Sequence, residues 1–221
     1  MREVVLDTET TGLDASNGHR IVEIACVELL HHIRTGRKWQ RYLNPERDMP
    51  QDALQVHGLT TEFLSKYAPF SEVADEFLAF VGGDRLVTHN AEFDLGFINA
   101  ELIRSHRSPI SGDHVDTLAL ARRRFPGAPA SLDALCRRFG IDLSGREKHG
   151  AEIDCELLAA IYLELIGGRQ PGLDLVYPIG AVTATARSAR TARPHAPSGN
   201  ELAAHSAMLQ SLVNPLWLIE A

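Results

Sequence analysis

Residues 4–13 read VVLDTETTGL, an apolar run that ends in two carboxylates, Asp7 and Glu9, set two positions apart. In an extended chain that spacing puts both side chains on one face, roughly 7 Å apart along the backbone. Two further stretches carry acids beside histidines: HNAEFD at 89–94, with Asp94, and HGAEID at 149–154, with His149 and Asp154. Each acid falls at the predicted end of an element, where sheet-based sites are assembled, and none belongs to an i, i+4 salt-bridge ladder. Carboxylates brought together without cations repel one another. The chemistry this set suits is therefore the binding of hard divalent ions such as Mg²⁺, which take oxygen ligands. Five residues along a helix turn through about 140°, so His149 and Asp154 cannot face one spot from a single regular helix. Gly150 instead places His149 on the polar loop SGREKHG, with Asp154 fixed on the helix that follows. An imidazole on a loop beside fixed metal ligands is suited to act as a general base toward water.

The elements that must hold these groups are legible in the hydrophobic pattern. Val4-Val5-Leu6 reads as a strand buried on both faces. IVEIACVELL (21–30) is a second strand and RKWQRYLN (37–44) a third, with a turn at Gly36 joining them into an antiparallel meander. PQDALQVHG (50–58) is a short helix with Pro50 in its first turn and Gly58 ending it. SEVADEFLAFV (71–81) is a stronger helix, capped by Ser71, with a stripe of Val73, Phe77, Leu78 and Val81. A short strand at 85–88 leads into a helix at 91–105 with Asn90 as N-cap, and another helix starts at Ser131. A final helix over about 150–166 is predicted to bury Ile153, Leu157, Leu158, Ile161 and Leu165. Strands first, then helices and strands in mixture, predict an α/β domain around a mixed sheet.

The 221 residues are 44% hydrophobic and 23% charged, which suits one globular domain with an appendage. A net charge of −7 argues against holding long stretches of nucleic acid by bulk electrostatics. It leaves room for a substrate that arrives with cations or is delivered by a partner. Cys26, Cys136 and Cys155 show no CxxC spacing and read as small buried apolar residues in a reducing compartment. Arg2, Glu3 and Asp7 stand where a signal peptide needs an apolar core, and no uncharged run reaches membrane-spanning length with adequate hydrophobicity; a soluble cytoplasmic protein is expected. Beyond Gly167-Gly168 the composition changes. Residues 178–200 are rich in Ala, Thr, Ser and Pro, with Arg187, Arg190 and Arg193 and no acid, as in a linker. The last stretch regains apolar residues but is too short for its own core, so it docks on a partner or packs back on its own domain. The expected organisation is a domain over 1–168, a linker over 169–200 and a docking segment over 201–221.

DTET at 7–10, HNAEFD at 89–94 and HGAEID at 149–154 resemble, in order and separation, the three exonuclease motifs of the DEDD superfamily, histidine branch. Within that branch, the chain resembles over nearly its full length the epsilon (proofreading) subunits of bacterial DNA polymerase III. VHGLT (56–60), SLDALCRRFGID (131–142) and the terminal ELAAH…LW segment carry that likeness too. The resemblance implies a ribonuclease H-like fold, two Mg²⁺ ions for which Mn²⁺ can substitute, and 3′→5′ removal of nucleotides from a DNA primer terminus. By the same resemblance, Asp7 would bridge the two ions, Glu9 and Asp154 would bind the first, and Asp94 the second. His149 would take the proton of the attacking water. Asp7, Glu9 and Asp154 would thereby bind substrate as well, with His57 contacting the terminal nucleotide and Asp52 one turn upstream; the family more often carries Glu at that last position.

The implied partners are the polymerase catalytic (alpha) subunit, a small theta-type subunit and the sliding clamp. Leu202, Leu209, Leu212, Leu216 and Trp217 are the tail's apolar anchors for the first. QPGLDL (170–175) resembles the clamp-binding pattern Q-x-x-L-x-L/F, with Gln170 at the pocket rim and Leu173 and Leu175 filling it. Two other readings stay open: a free-standing 3′→5′ exonuclease of RNA or single-stranded DNA ends, and a non-catalytic adaptor joining polymerase and clamp. A linker followed by a docking peptide speaks against the first of these, and the full set of motif residues against the second.

Overall fold

The computed structural model of the chain describes residues 1–144, 148–168 and 196–213. Strands β1 (Arg2–Thr10), β2 (Ile21–Leu30) and β3 (Ile33–Tyr42) come first, then helices α1 (Gln51–His57), α2 (Thr61–Leu64) and α3 (Phe70–Val81). β4 (Arg85–Thr88), α4 (Ala91–Arg104), β5 (His114–Asp116), α5 (Thr117–Arg124), α6 (Leu132–Phe139) and α7 (Ala151–Leu165) complete the first compact unit. The sheet runs β3-β2-β1-β4-β5, with β2 antiparallel to β1 and β3, and β4 parallel to β1 and β5. This is the mixed sheet the sequence predicts.

β1 is central, and Val4, Val5 and Leu6 are fully buried because helices cover both faces of the sheet. Val4 and Leu6, with Ile24, Cys26 and Trp39, pack against Phe77 of α3 and Phe97 and Ile98 of α4. Val5, Ala25, Val27 and Val87 face the other way, onto Cys155, Leu158 and Tyr162 of α7. The far side of α7 offers Leu157, Ile161 and Leu165 to Ala121 of α5 and to Leu135 and Cys136 of α6. Period-two alternation places Asp7 and Glu9 on the same face as Val5, pointing toward the start of α7. All three cysteines are buried and free, as expected.

Several local expectations fail for identifiable reasons. The β2–β3 turn is made by His31 and His32, at φ 52° and 65°, rather than by Gly36. Two central residues in the left-handed region match the tight hairpin turn whose twist suits the flanking strands. Gly36, at φ 87°, lies within β3, where the register slips between Val27 and Leu29. Helix α3 begins one residue before Ser71, behind Pro69, so Ser71 is inside the helix and caps nothing. Asn90 does stand at the N-cap of α4, but in a left-handed conformation without a side-chain cap. Ile153 is exposed, because the inward arc of α7 is taken by Ala151, Asp154, Cys155 and Leu158. Strand β5 and helices α2 and α5 were not anticipated at all. Ser131 does cap α6, accepting from the Ala134 amide.

In the second unit, α8 (Gly199–Ser211) opens with a capping box in which Ser198 and Glu201 satisfy each other's backbone amides. Leu202, Met208, Leu212 and Val213 are exposed there, while Leu209 is buried. Gln170, Leu173, Leu175, Leu216 and Trp217 lie outside the described residues. Among the described residues, no helix is long and apolar enough to cross a membrane.

Candidate active site

Three junctions bring the motif residues together. In the first, β1 carries Asp7 opposite Ala25 and Glu9 opposite Glu23 in the ladder with β2. The loop that follows is closed at its base by Thr11 and Arg20: the Thr11 amide donates to the Arg20 carbonyl, and the Arg20 amide to Thr11 Oγ1. The Arg20 guanidinium grips the buried Glu101 of α4 through both carboxylate oxygens, at 2.5 and 3.0 Å. Gly12 in this loop has no room for a side chain, since a Cβ would overlap the His19 ring.

The second junction runs from β4 into α4. His89 Nδ1 lies 2.8 Å from Thr117 Oγ1, which in turn donates to the Thr88 carbonyl. The Asn90 amide donates to Asp116 Oδ1, which also accepts from the Leu118 amide at the start of α5. These contacts order the turn that presents Asp94 in the first turn of α4. Asp94 is buried, and Thr8 of β1 reaches it from the side, Oγ1 donating to Oδ1 at 2.8 Å. Thr8 is a residue that the motif reading passes over. It points away from Asp7 along the strand, and that alternation lets one strand supply both a carboxylate and the hydrogen bond that orients another.

The third junction leads into α7. His149 lies just before the helix, and its amide donates to the Val56 carbonyl of α1 at 3.3 Å. Lys148 lies across Gly58, the left-handed end of α1 at φ 77°, where a Cβ would stand 2.7 Å from its Nζ. Asp154 follows in the first turn of α7 and is buried.

Glu9, His149 and Asp154 offer ligand atoms that all lie within 4.8 Å of one another. His149 Nδ1 is 3.5 Å from Asp154 Oδ2. Burial pushes the Asp7 carboxyl well above its usual range, and Asp94, Glu9, Asp154 and Glu23 push it further. Asp94 is raised to about 7, chiefly by burial and against the Thr8 hydrogen bond. A buried, oxygen-rich cluster in which Asp7 and Asp94 resist ionisation lacks positive charge, and a hard divalent cation fits that donor set.

Between about pH 4 and 7, the folded metal-free protein keeps a proton on Asp94 that the unfolded chain has released, because the group moves from 3.8 to about 7 on folding. Its contribution to stability therefore falls as pH rises through that window. We expect the thermal midpoint in chelator to drop from about pH 5 to 8 by more in the parent than in Asp94→Asn. Mg²⁺ should restore the parent more at the higher pH. Equal slopes for the two proteins would remove this account of the cluster.

Beside Glu9 opens a pocket of about 610 Å³ lined by Thr8–Asp14, Pro50, Asp52, Val56, His57 and Phe93, within the ~300–1,000 Å³ of small-molecule sites. His57 is buried in its wall, and its Nδ1 accepts from the Leu59 amide at 3.0 Å. Nε2 therefore carries the proton, near the Thr10 carbonyl but without a well-formed hydrogen bond. Burial keeps this imidazole neutral by lowering its pKa. Asp52 is exposed at the pocket mouth.

An exonuclease family profile matches residues 4–162. The DNA polymerase III subunit epsilon of Rickettsia felis is 49% identical over 180 residues, covering 80% of this chain and 79% of that one. The chain belongs to the epsilon-subunit family of DNA polymerase III. The epsilon subunit of Pasteurella multocida is 39% identical over 236 residues, covering 98% of this chain and 93% of its own. Among solved structures, exonuclease X in complex with 5′-overhanging duplex DNA superposes with a TM-score of 0.58 at 25% identity, over 74% of this chain and 90% of that one. The chain thus shares its ribonuclease H-like sheet with other exonucleases, and Asp7 and Glu9 lie within the span that the family profile matches.

Proposed function

We propose that the chain is the 3′→5′ exonuclease that proofreads the primer terminus as a subunit of DNA polymerase III, using divalent ions held by Asp7, Glu9, Asp94 and Asp154. The observation that carries this reading is the convergence of Glu9, His149 and Asp154 beside the 610 Å³ pocket in a chain of the epsilon family. Mg²⁺ is the proposed ion, two per site, with Mn²⁺ as its substitute. Bound there, divalent ions supply a water of lowered pKa and neutralise charge on the transferring phosphate.

The chain's own residues do the rest. The pocket walls at Thr10, Val56 and His57 receive the terminal nucleotide, with Asp52 at the rim. Asp7 and Glu9 are locked by the strand ladder, so the phosphate is bound against ligands that need not rearrange. The His149 imidazole, whose Nδ1 lies 3.5 Å from Asp154 Oδ2, is the group that accepts a proton from the attacking water. The new P–O bond forms to that water's oxygen and the P–O3′ bond breaks. The products are a 5′-mononucleotide and a strand shortened by one, ending in a 3′-hydroxyl. Because the positive charge is local and borrowed, a chain of net charge −7 can bind DNA ends without a broad basic face.

The test is release of mononucleotides from a 3′-mismatched primer-template, a matched one and an RNA strand, each with Mg²⁺ or with chelator. Mg²⁺-dependent release, faster at the mismatch, is expected. Absence of divalent-dependent release from any DNA end would overturn the proposal.

The organisation proposed with it is an exonuclease domain over 1–168, a linker over 169–200 that carries the clamp motif Gln170, Leu173 and Leu175, and a polymerase-docking segment over 201–221. The exposed Leu202, Met208 and Leu212 on a well-capped helix support the last of these. Deleting residues 201–221 should abolish binding to the alpha subunit in a pull-down and leave the rate on single strands unchanged. Retained binding would move the docking surface to the catalytic domain.

A further inference from the structure

Glu23 belongs to none of the three motifs. It is a buried carboxylate, 4% exposed, in the otherwise apolar stretch Ile21–Ala25, and it stands opposite Glu9 across the β1–β2 ladder. Like charges directly opposite one another destabilise a sheet, and Asp154 and Glu152 add to the repulsion that Glu23 meets. A fifth acid in this position must be held by something.

Two hydrogen bonds hold it. Gln40 Nε2 of β3 donates to Glu23 Oε1 at 2.8 Å, and the Ala151 amide donates to Oε2 at 3.1 Å. Ala151 is the first residue of α7, and the N-cap position before it is Gly150, which has no side chain to cap the helix. Glu23 therefore supplies from β2 the acceptor that a Ser or Asp N-cap would supply from within the chain. It also places negative charge at the positive end of the helix. His149 lies two residues before the gripped amide and Asp154 three residues after it.

We infer that Glu23 is a positioning residue: clamped between Gln40 and the Ala151 amide, it fixes where α7 begins and so where Asp154 and His149 stand against Glu9. The inference rests on the metal-nuclease reading of the site. Both oxygens of Glu23 are engaged in these bonds, and its role is assigned to positioning rather than to metal binding on that ground.

Glu23→Met fills the space without an acceptor. Glu23→Gln keeps both bonds, its Oε1 accepting from Ala151 and its Nε2 donating to Gln40 once the Gln40 amide turns over. Three quantities separate the variants: exchange protection of the Ala151 amide in metal-free protein, Mn²⁺ affinity by calorimetry, and kcat and KM on a single-stranded oligonucleotide. In Glu23→Met we expect the amide to lose protection, with Mn²⁺ affinity and kcat falling roughly 10–100-fold and KM staying within about twofold, as for lost outer-shell partners. Glu23→Gln should recover each to within about threefold of the parent. A Met variant that keeps its Ala151 protection and Mn²⁺ affinity would overturn the inference. So would a Gln variant as impaired as Met, since Glu23 would then act by charge rather than by position. Should the Met variant not fold, Gln40→Met frees one of the two clamps and reads the same quantities, with smaller shifts expected and parental values again overturning the inference. If the parent itself releases no nucleotides with divalent ions, the nuclease reading fails, while the exchange and calorimetric arms still decide the role of Glu23.

Discussion

Asp7→Asn is expected to abolish divalent-dependent nuclease activity and, in chelator, to raise the melting temperature. Both effects follow from one position. Asp7 lies where burial and the charges of Asp94, Glu9, Asp154 and Glu23 all disfavour its ionised form. Asparagine keeps the shape and removes the charge, so the metal-free fold loses its worst repulsion. Each kcal/mol recovered is worth about 2–4 °C in a chain of this size. The same change takes away a carboxylate proposed to hold the divalent ions. The loss of rate should exceed the roughly 10–100-fold that follows removal of an outer-shell partner, and Mg²⁺ should no longer raise the melting temperature appreciably. An Asp7→Asn protein that still digests DNA with Mg²⁺ would remove Asp7 from the site. One that melts below the parent in chelator would refute the account of repulsion.

The second large effect is expected at His149. His149→Gln should lower kcat by about 10²–10⁴-fold, the usual contribution of a positioned general base, with KM and Mn²⁺ affinity little changed. A distinct outcome is built into the geometry, because a His149 ring nitrogen lies within the same 4.8 Å set as Glu9 and Asp154. If Mn²⁺ affinity collapses together with kcat, His149 is a metal ligand and the base must be sought elsewhere. The calorimetric arm decides between those roles.

Much of this was legible in the sequence, and the reason differs from group to group. Val4-Val5-Leu6 followed by Asp7 and Glu9 announced a buried strand ending in a site, since only a central strand is apolar on both faces. The loop placement of His149 followed from helical geometry, and α7 does start at Ala151. The hairpin turn was misplaced because Gly36 looked like the residue able to adopt a positive φ, whereas two histidines adopt it instead. Ser71 and Asn90 have the chemistry of caps, but side-chain type does not report whether a neighbouring amide is within reach. Ile153 was assigned inward by apolarity, although its neighbour Asp154 is the residue that turns toward the sheet. Thr8 and Glu23 were passed over because their roles lie in contacts across the sheet, to Asp94 and to Ala151, which sequence separation hides. The acid in the middle of IVEIA was nevertheless a signal, for a carboxylate in a doubly buried strand needs a partner.

The groups of the site are also spread widely along the chain, from residue 7 to residue 154, and β1 closes a parallel pair with β4 some eighty residues downstream, Val5 beside Val87. Contacts between such distant segments form late and together, because the loops between them must close first. During synthesis, the strand bearing Asp7 and Glu9 leaves the ribosome nearly a whole domain ahead of α7. No shorter product, whether a stalled nascent chain or a fragment cut before Gly150, holds a complete set of ligands. A chain cut before Gly150 is therefore expected to show no divalent-dependent nuclease activity.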